Sequence, residues 1–146
     1  MKSSTLQNNL NWQLLRIAIT AKHGLIHIAD KYGLTAMQLY TLCLLEADTS
    51  IPMNSLSDMI KCDASNITGI VDRLFSQNYI KREENPKDRR EKMITLTSAG
   101  VKLCTKISQE LSHYEAVNTQ SLSEEEKAVL QTLLAKIITT TKTSIT

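Results

Sequence analysis

From about Leu6 to Lys31, apolar side chains return every three or four positions, at Leu10, Leu14, Ile17, Ala21, Leu25 and Ile28. That spacing lines them along one side of an α-helix. Trp12, Leu15 and Ile19 form a second strip, and a helix apolar on more than one side is buried on more than one side, in a small protein against a second subunit. Gly33 predicts its end. Thr35 to Gln38 has the form of a capping box, a hydroxyl and a side-chain amide exchanging hydrogen bonds with backbone amides. It opens a second helix to about Glu46, carrying Met37, Tyr40, Cys43 and Leu44. Ile51 to Met53 reads as a short extended piece. Asn54 then caps a third helix through Lys61, with Leu56, Met59 and Ile60 inward. Asp63 caps a fourth from Ala64 to about Gln77, with Ile67, Ile70, Val71 and Leu74 on one side.

The period then changes from that of a helix to that of a strand. Tyr79–Glu84 and Lys92–Leu96 alternate, Ile80 on the first and Ile94 and Leu96 on the second, around a charged, proline-containing turn over 85–91. Thr97 caps a fifth helix to about Asn118, striped by Leu103, Ile107, Leu111 and Tyr114. Ser123 to Glu126 is another capping box, its acids placed where a helix N-terminus favours negative charge. The last helix carries Val129, Leu130, Leu133, Leu134, Ile137 and Ile138, and the threonine-rich tail from Thr139 frays. Two helices about three residues apart, followed directly by a hairpin, make a winged helix-turn-helix. The expected fold is mainly α with a small β-hairpin. The chain is one unit over 1–146: a winged helix-turn-helix domain over 35–96, with terminal dimerisation helices over 6–31 and 97–142. Leu10, Leu14, Ile17, Leu130, Leu134 and Ile137 are the expected dimer contacts.

Composition narrows the class without deciding it. At 146 residues the chain has the length of one domain and can bury roughly two thirds of its unfolded surface. Aromatics are only 4%, so the core is built from Leu, Ile, Val, Ala and Met. Cys43, Cys62 and Cys104 are odd in number and form no CxxC pair, which argues against a disulfide framework or zinc site and for reduced thiols. Met1-Lys2-Ser3-Ser4 has no apolar run of the signal-peptide kind and no stretch of about 18 apolar residues occurs, so a cytoplasmic protein without a membrane span is expected. There is no glycine-rich phosphate loop, zinc-protease motif or nucleophile elbow. His23 and His27 are four apart on a helix, with Asp30 the nearest third ligand and not obviously on their face. The reading is therefore no enzyme, no metal and no cofactor.

The net charge of +2 is too small to argue for nucleic acid, so its distribution matters more. Between Tyr79 and Lys92 stand six basic and four acidic residues, an excess equal to that of the whole chain. The outward positions opening the fourth helix are Ser65, Asn66, Thr68 and Gly69, small or hydrogen-bonding and able to approach base edges, while Arg73 reaches toward backbone phosphate. Gly69 costs the helix about 1 kcal/mol relative to Ala. It provides either close helix packing or room for DNA. The second helix of the pair suits a major groove, and an arginine-tipped hairpin suits an adjacent narrow minor groove. Lys87, Asp88, Arg89 and Arg90 form that tip, with Asp88 expected to pair with Arg90 and orient it.

Three linked stretches sharpen this: Ile67 to Leu74 with Asp72-Arg73-Leu74, Asn85 to Arg90 with Asp88-Arg89-Arg90, and Ile94 to Gly100 with Leu96-Thr97 before Gly100. Together with Asn78 to Arg82 between them, they resemble the signature of the MarR family, and the resemblance extends over roughly residues 6 to 142. It implies base contacts near Ser65, Asn66 and Thr68, a structural and phosphate role for Arg73, and minor-groove insertion by Arg89 and Arg90 braced by Asp88. Some members of that family have Arg where Gly69 stands, so their operator sequences do not transfer. The resemblance further implies a homodimer on double-stranded DNA with a palindromic operator, and repression relieved by a small aromatic or phenolic effector. Trp12, Arg16, His23, His27 and Tyr40 are near where such a ligand binds in the family, without an assigned pocket. Some relatives sense oxidants through a cysteine early in the first helix, where this chain has none. Cys62, ahead of the recognition helix, is the alternative redox candidate, with Cys43 and Cys104 read as inert core residues. A winged-helix protein-interaction module is the remaining alternative.

Overall fold

In the computed structural model, which describes residues 7–60 and 64–143 (backbone alone at 64, 65 and 141–143), the elements run α1 (Leu10–Lys31), α2 (Ala36–Cys43), β1 (Ile51–Pro52), α3 (Met53–Ile60), α4 (Ala64–Ser76), β2 (Ile80–Glu84), β3 (Lys92–Leu96), α5 (Ser98–Asn118) and α6 (Glu124–Thr143). The strands form one antiparallel sheet in the order β1-β3-β2. The hairpin is in register from Ile80 opposite Leu96 to Glu84 opposite Lys92. The extended piece at 51–52 joins it as a third strand, Ile51 opposite Ile94. Proline at the second of these positions removes a ladder donor and keeps the strand short.

Most helix ends follow the chemistry read from the chain. Thr35 and Gln38 form the reciprocal capping box. Ser123 and Glu126 form another, with bonds of 2.8 and 3.2 Å. Thr97 Oγ1 accepts from the Gly100 amide at 3.1 Å and opens α5. Gly33 has φ +63, and beyond it the Leu34 amide returns to the Ala29 carbonyl at 3.0 Å, closing α1 in a left-handed cap. Two starts stand apart. α1 begins at Leu10, where the Asn9 side chain accepts from the Trp12 amide; the expected start at Leu6 lies outside the described residues. α3 begins at Met53 directly off the strand, so Asn54 lies within its first turn, its side chain accepting from the Ser55 amide at 2.7 Å rather than capping from outside. The expected cap at Asp63 lies outside the described residues.

The chain divides between Leu111 and Ser112 into two compact units. In the first, Ile28 and Ala29 of α1, Leu39 and Leu42 of α2, Leu56 and Ile60 of α3, Ile67, Val71 and Leu74 of α4, Ile80 and Ile94 of the sheet and Leu103 and Ile107 of α5 are buried. This core holds α4 by one side only. At Gly100 the backbones pass closely: a Cβ there would lie 2.1 Å from the Tyr79 carbonyl oxygen, which is occupied in accepting the Thr97 amide at 3.0 Å. Only glycine lets the start of α5 pass the strand exit so closely. In the second unit, Lys127 pairs with Glu124 one turn before it at 2.7 Å.

Candidate nucleic-acid interface

α4 presents two chemically different sides. Ile67, Val71 and Leu74 are buried, while Asn66, Thr68, Gly69, Asp72 and Arg73 are exposed. The side chain of Ser65 lies outside the described residues. The two readings of Gly69 separate here, because a Cβ built on it meets nothing within 4 Å. Close helix packing is therefore not the reason for glycine at that position; the space in front of it is open. The helix ends at Ser76, and the φ of +61 at Asn78 with the 3.0 Å bond from the Tyr79 amide to the Leu74 carbonyl turns the chain straight into β2.

β2 is fastened back onto α4. The Arg82 guanidinium forms an ion pair with Asp72 and lies 4.9 Å above the Phe75 ring centroid. A charge pair and a cation–π contact thus fix the hairpin's first strand against the exposed side of α4. The sequence pattern alone gives Asp72 and Arg82 no role. Their ten-residue separation crosses the α4–β2 turn, and only the fold makes them neighbours.

At the tip the backbone is organised by short side chains. Asn85 accepts from the Lys87 amide at 3.0 Å. The Asp88 carboxylate accepts from the Arg90 amide at 3.0 Å, while the Asp88 carbonyl accepts from the Glu91 amide at 3.0 Å. This is a tight turn with Asp at its first position and the two arginines at its centre. The expected Asp88–Arg90 pairing is therefore corrected in one respect: the carboxylate holds the backbone of Arg90 and not its guanidinium. The short Asp side chain reaches the amide two residues on, which leaves the arginine free to extend away.

The hairpin's charges sort themselves. Lys81 pairs with Glu83 at 2.9 Å, Lys92 with Glu84 at 3.3 Å, and Arg82 with Asp72. The three other hairpin cations, Lys87, Arg89 and Arg90, are all exposed at the tip and, among the described residues, in no ion pair. With Asp88 and Glu91 the tip has a net charge of +1, but its three cations are exposed and Asp88 is turned to its own backbone. Such a surface attracts polyanions through solvent.

Apolar side chains remain uncovered on the terminal helices. Leu10 and Ile17 of α1 are 62% and 66% exposed, and Trp12, Leu15 and Ile19 are exposed beside them. Leu14 is half-buried. On α6, Val129, Leu130, Leu133, Leu134, Ile137 and Ile138 are all exposed. Exposed aliphatic residues in such numbers mark a contact surface.

His23 and His27 are exposed on α1, and among the described residues no group of three His, Cys, Asp or Glu is placed to hold a metal ion. Cys62 lies outside the described residues. Cys43 and Cys104 are not the core residues expected: Cys43 is exposed and Cys104 is half-buried, its thiol donating to the Leu42 carbonyl at 3.6 Å. The helical stripe predicted an apolar side for each, but Cys43 falls on the last turn of α2, where the core side is already taken by Leu39 and Leu42.

Comparison with known proteins agrees with this geometry. The profile described as the MarR family matches residues 34–92. The multiple antibiotic resistance protein MarR of Escherichia coli (strain K12) is 30% identical over 109 residues, covering 72% of this chain and 74% of that protein. The HTH-type transcriptional repressor MdtR of Bacillus subtilis (strain 168) is 28% identical over 141 residues, covering 94% and 89%. Among solved structures, apo wild-type MarR from E. coli superposes with a TM-score of 0.77 at 25% identity, over 88% of this chain and 96% of that one. A mutant MarR from E. coli complexed with operator DNA superposes with a TM-score of 0.73 at 26% identity, over 88% and 92%.

Proposed function

This chain belongs to the MarR family, and from that premise we propose that it is a DNA-binding transcriptional repressor acting as a homodimer in the cytoplasm and released from its operator by a small aromatic or phenolic effector. It is a regulator and not an enzyme. The observation that carries the reading is the concentration of unpaired charge, Lys87, Arg89 and Arg90, on a hairpin tied through Arg82 and Asp72 to the exposed polar side of α4.

In this reading α4 enters the major groove. Ser65, Asn66 and Thr68 meet base edges, open space at Gly69 admits the duplex, and Arg73 takes backbone phosphate. The amides opening α4 donate to a second phosphate. Arg89 and Arg90 extend into the flanking minor groove, whose narrow width concentrates negative potential. Asp88 keeps the turn in shape, and Lys87 adds charge. Residues 35–96 form the reading domain. The helices over 6–31 and 97–142 carry the dimer, with Leu10, Leu14, Ile17, Leu130, Leu134 and Ile137 among the contacts. An apolar strip on α1 that its own unit leaves bare supports a second copy as its cover. No helix among the described residues is long and apolar enough to cross a membrane.

Selection of genomic fragments retained by the purified protein tests this directly. The bound fragments should share a palindrome with half-sites about one helical turn apart, as two-fold symmetry requires. Recovery of fragments with no common sequence, or of single unpaired sites, overturns the reading.

A further inference from the structure

Asp72 stands where both its helix and a bound duplex disfavour it. Within α4 it has a weaker helix preference than alanine. It lies one turn on from Thr68 and Gly69, on the same side of the helix, and its side chain is 57% exposed. On a surface that meets phosphates, a carboxylate so placed repels the ligand.

What Asp72 does in return is hold the hairpin. The Lys81–Glu83 and Lys92–Glu84 pairs stay within the hairpin, and among the described residues only the Arg82–Asp72 pair reaches α4. The buried hairpin side chains, Ile80, Ile94, Thr95 and Leu96, extend outward only as far as Ile94, directly opposite Arg82. No residue from 83 to 93 is buried. At about 3.3 Å per residue, the turn that opens at Asn85 therefore starts roughly 10 Å beyond the last anchor. A lever of that length converts a small rotation at its base into a larger displacement of Arg89 and Arg90. An ion pair by itself lets Arg82 swing about Asp72. The Phe75 ring, exposed on α4 with its centroid 4.9 Å from the guanidinium, holds it from a second direction.

We infer that Asp72, Arg82 and Phe75 are positioning residues for DNA reading: together they set the separation between α4 in the major groove and the arginine tip in the adjacent minor groove. This rests on the DNA-binding reading. Asp72 is the informative member, because charge and positioning predict opposite signs for its removal. Asp72→Ala takes a negative charge from the side facing the duplex and releases a cation, so attraction alone tightens binding and steepens its salt dependence. Positioning predicts binding weaker on the order of tenfold, the scale of a coupling between two contacts. It also predicts a shallower salt slope, as the tip no longer meets its phosphates.

The test compares the native chain with Asp72→Ala, Asp72→Glu and Phe75→Leu on an operator fragment selected with the native chain. Affinity is followed over a salt series. Hydroxyl-radical protection reports the minor-groove flank, and protection of guanine N7 from dimethyl sulfate reports the major groove. Asp72→Ala is expected to bind more weakly and to lose the flank protection while keeping that of the major groove. Asp72→Glu, which keeps the carboxylate, should restore both affinity and flank protection, and Phe75→Leu should lose a smaller part of each. Thermal unfolding of Asp72→Ala should be no lower than that of the native chain, since an exposed ion pair contributes little and alanine favours the helix. Asp72→Ala binding as tightly as the native chain or more tightly, or losing both protections together, overturns the positioning role. A native chain that selects no operator overturns the proposed repressor function, and this inference with it.

Discussion

A methyl group added at Gly69 meets nothing within 4 Å, whereas one added at Gly100 lies 2.1 Å from a backbone carbonyl oxygen. The two glycines thus stand in helices for opposite reasons. Gly100 is required by the fold itself. Gly69 is a liability to the free protein, since alanine would favour α4 by about 1 kcal/mol. Gly69→Ala should therefore raise the melting temperature by roughly 2–4 °C for a chain of this size. It should also weaken operator binding severalfold, because the new methyl fills space kept for the duplex. Thermal unfolding and equilibrium binding on the same preparation read the two effects. A more stable variant with unchanged affinity would mean that DNA does not approach this position. At this scale the chain was legible where a residue acts through its neighbours in sequence: the caps at Thr35, Thr97 and Ser123, and the turn at Asp88. It was not legible where a partner is remote. Nothing local says that Arg82 reaches Asp72, that the Cys104 thiol reaches the Leu42 carbonyl, or that the Tyr79 carbonyl occupies the place of a Gly100 Cβ.

Between elements, a polar tie joins the end of α1 to α5: Glu110 accepts from Lys31 Nζ and from the Tyr32 hydroxyl, each at 2.6 Å. The Lys31 hydrogen bond, then that of Tyr32, holds the Glu110 carboxyl below its ordinary pKa. The hydrogen bond to Glu110 holds the Tyr32 hydroxyl above its own. The signs bracket a window. A depressed carboxylate contributes stability that is present above its unfolded value, near pH 4.3, and lost as acid protonates it. A raised tyrosine contributes stability present below its unfolded value, near pH 10, and lost as base ionises it. Glu110→Gln removes the charge and should flatten the acid limb of a stability–pH curve, lowering neutral stability by the same small amount and leaving stability in acid unchanged. An unaltered acid limb would show that the tie contributes nothing. Helix positions and the hairpin were legible because their periods, 3.6 and 2, span many residues. Starts were less so: α1 at Leu10 and α3 at Met53 are decided by single side chains and by the strand pairing of Ile51 with Ile94, which no short window contains.

For the whole molecule, the apolar double strip on α1 was the most informative signal, and five of the six expected dimer contacts are exposed while Leu14 is half-buried. Net charge was the least informative, because ion pairs along the hairpin cancel most of it and leave the uncancelled part at one end. The central claim is that this end and the polar side of α4 together hold a duplex, and salt dependence measures it most directly. Affinity for a selected operator fragment is to be followed from low to physiological salt for the native chain and for Arg89→Ala with Arg90→Ala. The account predicts a steep log–log fall for the native chain. For the double variant it predicts weaker binding and a slope shallower by roughly 0.9 for each phosphate no longer neutralised. Affinity indifferent to salt, or a double variant indistinguishable from the native chain, would contradict it.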